Sequence, residues 1–222
     1  MPRTMFLFED HLPAGTKPVY LPRGNRSIYV VSGGLDIHSD DCTRYLPAGS
    51  ALVAEDESAL HATEVDSTIW RWELAGANSD ETAHTLRSAP QTSSELKLAA
   101  SLDIDERYTW LMRCDTVTFP PGGTALTHLH QGPGIRITLS GEITIETEGT
   151  TQVHGPGSAW VEKGVVPVFA PTTEKSPTIF VRCFLLPKQN KGASSIRFVH
   201  PDDNAKINTQ KYRVLMERVI VA

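Results

Sequence analysis

The chain has few cysteines, no long apolar run and no excess of positive charge. Its three cysteines, Cys42, Cys114 and Cys183, are far apart and form no CxxC pair, so we expect free thiols in a reducing cytoplasm. No apolar segment reaches the ~20 residues of a membrane span, and we expect no secretory signal in the first residues. With 21 basic and 26 acidic residues the net charge is −5, which argues against a nucleic-acid partner.

Turn-forming residues are frequent, with 16 glycines and 15 prolines spread along the chain. Between them lie short segments rich in Val, Ile, Thr and aromatic residues, which is the pattern of β-strands. One helix is predicted, over residues 94–102, with Ser94 as its N-cap. The sequence otherwise predicts an all-β fold, with strands at 27–31, 51–54, 67–73, 109–119, 135–139, 142–146, 159–162 and 178–186.

The chain contains an internal repeat. Residues 49–53, Gly-Ser-Ala-Leu-Val, match residues 157–161, Gly-Ser-Ala-Trp-Val, at an offset of 108 residues, and a Ser-Gly pair recurs at 32 and 140 with the same offset. Residues 68–72 match residues 178–182 at an offset of 110. We therefore predict two copies of one domain, 1–75 and 107–222, joined by a linker over 76–106. The tail, 212–222, is predicted to be an added edge strand or an interface segment.

The segment 121–141 carries the chemistry of the second copy. His128 and His130 lie two residues apart on a predicted strand, so both imidazole rings point to the same face. Two imidazoles on one face suit a divalent transition metal. An H-x-H pair by itself is equally compatible with two unrelated polar strand residues.

The surrounding spacing resembles the first motif of the cupin superfamily. That motif corresponds here to Gly122, five residues, His128, Leu129, His130, then Gly134 and Gly141, and residues 157–167 resemble the second motif. The resemblance implies a bicupin with two tandem RmlC-like jelly-roll β-barrels. It also implies Fe, Mn, Ni or Zn as the metal, a small-molecule ligand and a homodimer.

Two positions depart from the family pattern. The motif's glutamate position is Gly134, and the histidine position of the second motif is Pro167. The metal would then have only His128 and His130 and would need further ligands. Gln131, His154 and Glu162 are the nearby candidates, although each also fits an ordinary role in a turn or at a solvated strand end.

Strand alternation places Arg136 and Thr138 on the same face as Gly134, inside the barrel. A buried guanidinium needs a partner, so we predict that Arg136 and Thr138 bind a carboxylate or another anion. Arg136 would repel a metal beside it unless an anion bridged the two. Alternatively, a twist of the strand takes Arg136 out to solvent.

The first copy has Tyr20 and Pro22 where the second has its two histidines, and Ile28 and Val30 at the interior positions. We expect this barrel to have no metal site and a structural role. For the second barrel three functions stay open. These are a metal-dependent enzyme acting on a small organic acid, for example a dioxygenase; a metal-free ligand-binding or sensing protein; and a scaffold with a degenerate site.

Overall fold

A computed structural model describes residues 2–40, 42–86, 89–206 and 208–221 and confirms the all-β fold. Within these ranges there are nineteen strands and three short 3-10 helices, and no α-helix. Accordingly, no described helix is long and apolar enough to cross a membrane. The chain divides into two compact units, one ending at Glu106 and the other comprising Arg107–Val221.

The first unit consists of two antiparallel sheets, with strand orders β6-β3-β8-β1-β9 and β2-β7-β4-β5. A 3-10 helix, Glu81–His84, lies between β8 and β9. The strands are β1 (Arg3–Leu12), β2 (Val19–Leu21), β3 (Asn25–Ser32), β4 (Gly34–His38), β5 (Thr43–Pro47), β6 (Ala51–Ala54), β7 (Ser58–Ala62), β8 (Ser67–Gly76) and β9 (Ser93–Leu102).

The predicted helix over 94–102 is wrong, because these residues form β9 and pair with β1 along its length. Apolar residues occupy every second position from Leu96 to Leu102, which is the period of a strand. Pairing with the long edge of β1 therefore overrides the local helix propensity. The segment 76–106 belongs to the first unit, and it adds a strand to the sheet of that unit.

The second unit also has two antiparallel sheets, with orders β15-β12-β17-β10-β19 and β14-β13-β16-β11-β18. Its 3-10 helices are Lys188–Asn190 and Pro201–Ala205. The strands are β10 (Trp110–Phe119), β11 (Thr124–His130), β12 (Gly134–Ser140), β13 (Ile143–Thr147), β14 (Thr150–His154), β15 (Ala159–Glu162), β16 (Val168–Pro171), β17 (Thr178–Pro187), β18 (Ile196–Phe198) and β19 (Lys211–Ile220).

The five-stranded sheets of the two units have the same strand order when β1, β3, β6, β8 and β9 are matched with β10, β12, β15, β17 and β19. The tail thus forms an edge strand, as one of its two interpretations predicted; Ala222 lies outside the described residues. In the second unit, Phe119 and Phe180 belong to the apolar core. Asp115 and Arg182, further along the same faces of β10 and β17, begin a buried polar region.

Candidate metal centre

His128 and His130 end β11 and lie side by side in the interior of the second unit. Their ring centroids are 4.9 Å apart, and each residue is only 5% exposed. Their spacing of two residues on one strand causes this proximity. They belong to a buried polar region that we call the cup, lined by His128, His130, Glu162, Arg136, Arg182 and Asp115.

The hydrogen bonds of the two rings fix their tautomers. His128 Nδ1 lies 2.7 Å from the carbonyl oxygen of Leu126, which can only accept, so Nδ1 carries the proton. His130 Nε2 lies 3.4 Å from Arg182 Nη1, which can only donate, so the proton of this ring is on Nδ1 and is donated to Ser195 Oγ at 3.2 Å. Both Nε2 atoms are therefore unprotonated, as a metal ligand requires. The lone pair of His130 Nε2 accepts from Arg182 Nη1, and a metal would take the place of this contact.

Glu162 supplies a carboxylate to the same place. It ends β15 and pairs with Gly134 of β12. The indole of Trp160 donates to Glu162 Oε1 at 2.9 Å, and this hydrogen bond leaves Oε2 facing His130 Nε2 at 3.5 Å. One ligand atom from each of His128, His130 and Glu162 lies within 4.8 Å of the others, so the three residues can hold a metal ion.

The absence of a side chain at Gly134 has a geometric reason. A Cβ at this position would lie 2.3 Å from the Cβ of Phe184 and 2.4 Å from the carbonyl oxygen of Cys183. No side chain fits there without displacement of β17. Glu162, the residue opposite Gly134 on the neighbouring strand, instead brings a carboxylate to this part of the cup.

Arg136 lies inside the cup and is fully buried, as strand alternation predicted. Its Nη1 donates to the carbonyl oxygen of Gly134 at 2.7 Å, and its Nη2 is 2.9 Å from Glu162 Oε2. Thr138, predicted to bind the same anion, is also fully buried, but its hydroxyl donates to the carbonyl oxygen of His154 at 3.2 Å. The guanidinium is thus the polar group from this strand that reaches the candidate ligands.

A second arginine, Arg182 of β17, lies on the other side of His130. It forms a two-pronged ion pair with Asp115, with Nε and Nη2 at 2.6 and 3.0 Å from the carboxylate oxygens. Asp115 is fully buried and Arg182 is 7% exposed. Nη1 is left pointing towards His130. The sequence signal for Arg182 was a single arginine within an otherwise apolar strand, which needs a buried partner.

Some buried polar atoms of the cup lack hydrogen bonds. Among the described residues, Arg136 Nε, Arg136 Nη2 and Glu162 Oε2 make none, although the latter two form the close ion pair. Native proteins rarely leave buried polar groups unpaired, because doing so costs about 1–3 kcal/mol each. Glu162 Oε2, which has only its ion pair with Arg136, could also take a cation, and Arg136 Nε, which has no hydrogen-bond partner, could take an anion.

A cavity of about 60 Å³ adjoins the cup. Arg182, His130 and Ser195 line its inner side, and Tyr212 and Gln210 lie on its wall. This volume holds a few water molecules or one small anion. Of the other ligand candidates, His154 contacts Ser158 Oγ through Nδ1 at 2.9 Å and is not in the three-residue group, and Gln131 is half-buried after β11.

The charges in the cup follow from burial and from the arginines. Burial lowers the pKa of His128 and, more strongly, that of His130, so both rings are neutral near pH 7. Burial favours a neutral Glu162, but the Arg136 guanidinium beside it outweighs burial and lowers the pKa of this carboxyl. Burial also lowers the pKa of Arg136, to about 10, which leaves it charged. Neutral imidazoles beside a carboxylate are the protonation state that a metal needs.

We expect the stability of the protein to fall on acidification below about pH 6.5, the ordinary histidine pKa. The unfolded chain protonates His128 and His130 there while the folded protein resists it, so stability is complete above pH 6.5 and is lost as the pH falls. Each group contributes up to about 1.4 kcal/mol per pH unit. Denaturant midpoints at pH 7.5, 6.5 and 5.5 measure this loss. A His128→Asn/His130→Asn variant should show a shallower pH dependence, and equal slopes would contradict the assignment.

The first unit has a different interior. Ile28 and Val30 are buried and apolar as expected, but a network of buried charges lies beside them. Arg71 contacts Asp10 through Nε at 2.6 Å and Glu73 through Nη1 at 2.8 Å. Glu73 also accepts from Arg26 Nε at 2.9 Å. Each cation of this network thus has a carboxylate partner.

No family model and no curated protein matches the chain, whereas solved structures match most of its length. Oxalate decarboxylase from Lactobacillus farciminis, in a formate complex, has a TM-score of 0.64 at 12% identity, over 91% of this chain and 82% of that one. AerE from Microcystis aeruginosa has a TM-score of 0.59 at 14% identity, over 82% and 88%. A deletion mutant of Bacillus subtilis oxalate decarboxylase has a TM-score of 0.62 at 11% sequence identity, and the match covers 87% of this chain and 71% of that one.

The fold is the cupin jelly roll. At these identities the similarity concerns the fold alone, and cupin barrels host many activities. The chemistry of this protein must therefore be argued from its own cup.

Proposed function

We propose that the second unit binds a divalent transition metal through His128, His130 and Glu162, and that it acts as a metal-dependent enzyme on a small organic acid. The observation that carries this proposal is the convergence of three ligand atoms, the Nε2 atoms of two rings of fixed tautomer and a carboxylate oxygen that makes no hydrogen bond. Two histidines and one carboxylate leave coordination positions open, as in catalytic metal sites.

The ligand set suits Fe, Mn, Ni or Zn, and a two-histidine, one-carboxylate set is typical of non-haem iron oxygenases. A dioxygenase is therefore the reaction class that we favour. A bound metal of this kind would polarise a substrate oxygen or activate oxygen or water. Arg182 Nη1, which Asp115 leaves unengaged, is placed to orient the carboxylate of an acid in the adjoining cavity. The burial of the cup excludes bulk water from this position.

Metal binding by purified protein tests the proposal. Protein made without a polyhistidine tag is equilibrated in turn with Fe²⁺, Mn²⁺, Ni²⁺ and Zn²⁺, dialysed and measured by elemental analysis. We expect about one ion per chain for at least one metal. The His128→Ala/His130→Ala variant should lose it, and Glu162→Gln should weaken binding about 100-fold or more, since even residues behind the ligands are worth 10–100-fold.

The His200→Ala variant is a matched control, because His200 is exposed and lies outside the cup. It should keep the metal content of the parent. Equal metal content in the parent and the double variant would refute the assignment of the two histidines.

A metal-free anion-binding protein is the second candidate. It is favoured by the contact between Arg136 Nη2 and Glu162 Oε2, since the arginine occupies the oxygen that a metal would need. Under this alternative no metal is retained, yet small carboxylates still raise the melting temperature. A degenerate scaffold would show neither effect.

We further propose that the two units make the chain a bicupin, in keeping with their common strand order. The homodimer and the cytoplasmic location stay predictions. Strand alternation puts Ile135 and Ile137 on the outer face of β12, where exposed apolar side chains would favour a partner subunit, but both are fully buried within one chain. They therefore give the dimer no support.

A further inference from the structure

The cup contains two arginines that a metal site alone does not explain. Its buried positive charges are those of Arg136 and Arg182, and its buried negative charges are those of Glu162 and Asp115. The two histidines beside them are neutral. These charges already balance. A divalent cation bound to His128, His130 and Glu162 would leave two positive charges in excess in a buried region, where charges interact more strongly than in water.

We propose that the cup binds its metal and a small anion cooperatively, each raising the affinity for the other, with Arg136 and Arg182 as the source of the coupling. This inference rests on the proposed metal site. It assigns the anion to the cavity that His130 and Arg182 line. An anion there restores the charge balance that the metal disturbs.

Arg136 is the residue that opposes metal binding in the absence of an anion. Its Nη2 is 2.9 Å from Glu162 Oε2, the oxygen that would ligate the metal. When that oxygen binds a cation, Arg136 must share its only carboxylate partner in the cup, and its Nε and Nη2 already lack hydrogen bonds. Negative charge brought into the cup offsets the repulsion between this guanidinium and the metal.

Arg182 is the residue that meets the anion. Asp115 holds its Nε and Nη2, so the side chain keeps its position when the metal binds. Its Nη1 contacts His130 Nε2 at 3.4 Å, and a metal on that nitrogen would remove this acceptor. The anion then replaces the lost acceptor, and the cavity of about 60 Å³ limits it to a few non-hydrogen atoms.

Calorimetric titration of Zn²⁺ into the full chain, with and without formate, tests the coupling. Ionic strength is held constant with perchlorate, and a titration without protein corrects for the weak zinc–formate complex. We expect formate to tighten zinc binding about tenfold or more, within the usual range for coupled sites. By thermodynamic reciprocity, zinc must tighten formate binding by the same factor.

Three variants locate the source of the coupling. Arg136→Met should bind zinc about tenfold more tightly without formate and lose most of the formate effect, whereas Arg136→Lys, which keeps the charge, should retain the effect. Arg197→Met removes an exposed positive charge from β18 and should behave as the parent. Should Arg136→Met fail to fold, the parent titrations with and without formate still decide whether the metal and the anion are coupled.

The outcomes separate this inference from the proposed function. Zinc binding that formate changes less than twofold overturns the coupling and leaves the metal site intact. No zinc binding in either condition overturns this inference, and the proposed metal site falls with it if Fe²⁺, Mn²⁺ and Ni²⁺ are not bound either. An undiminished formate effect in Arg136→Met would show that Arg136 is not its source.

Discussion

We expect Gly134→Ala to destabilise the second unit by about 3 kcal/mol or more and to abolish metal binding. The added methyl group would lie 2.3 Å from the Cβ of Phe184. A Cβ atom cannot move aside as the end of a flexible side chain can, and overpacking of a well-packed core costs about 1–3 kcal/mol or more. Relief requires β12 and β17 to separate, and these strands carry Arg136 and Arg182. Denaturant unfolding and elemental analysis measure the two effects.

Gly155→Ala is the matched control, because a Cβ at Gly155 meets nothing within 4 Å. It should change stability by less than about 0.5 kcal/mol, as ordinary surface substitutions do. If Gly134→Ala is no more harmful than Gly155→Ala, the steric account of this position fails. Gly134→Glu, which restores the residue of the family motif, should lose the metal for the same reason.

This glycine shows where the sequence misled and why. In the sequence, Gly134 stands where the motif has a glutamate, so the carboxylate ligand is missing from that position. Glu162 is then only one of several polar residues that could replace it. The pairing of β12 with β15 places Glu162 directly opposite Gly134, and no one-dimensional spacing reveals a cross-strand neighbour. The relation between the two histidines, in contrast, depends on strand alternation alone and was predictable.

The repeat could be predicted from the sequence, but the alignment of β8 with β17 between the two copies could not. The matching letters of residues 68–72 and 178–182 suggest an offset of 110 residues. In the structure, Ser67 pairs with Leu12 at the end of β1 and Thr178 pairs with Phe119 at the end of β10, which is an offset of 111. Arg71 and Arg182 are then equivalent residues. The central arginine of this strand is thus common to both units, while its surroundings differ.

Those surroundings differ in how completely the buried charges are paired. In the first unit, Arg71 contacts two carboxylates and the carbonyl oxygen of His84, and Asp10 also accepts from Ser94 Oγ. In the second unit, Arg182 keeps a single carboxylate and its Nη1 contacts His130, while Nε of the neighbouring Arg136 makes no hydrogen bond. Networks that are fully satisfied stabilise a fold, whereas unpaired buried groups identify a place for a ligand.

The first unit should accordingly be sensitive to the loss of Arg71. We expect Arg71→Met to cost about 3–5 kcal/mol, the usual cost of breaking a buried ion pair from one side, because Asp10 would lose its cation while remaining fully buried. The Asp10→Leu/Arg71→Met double variant should recover most of this loss, since replacing both charges by apolar groups is often close to neutral. Denaturant unfolding of both variants, with Lys97→Met as a control in an ion pair whose carboxylate is exposed, measures the difference. A double variant as unstable as Arg71→Met would show that packing, and not the unpaired carboxylate, determines the cost.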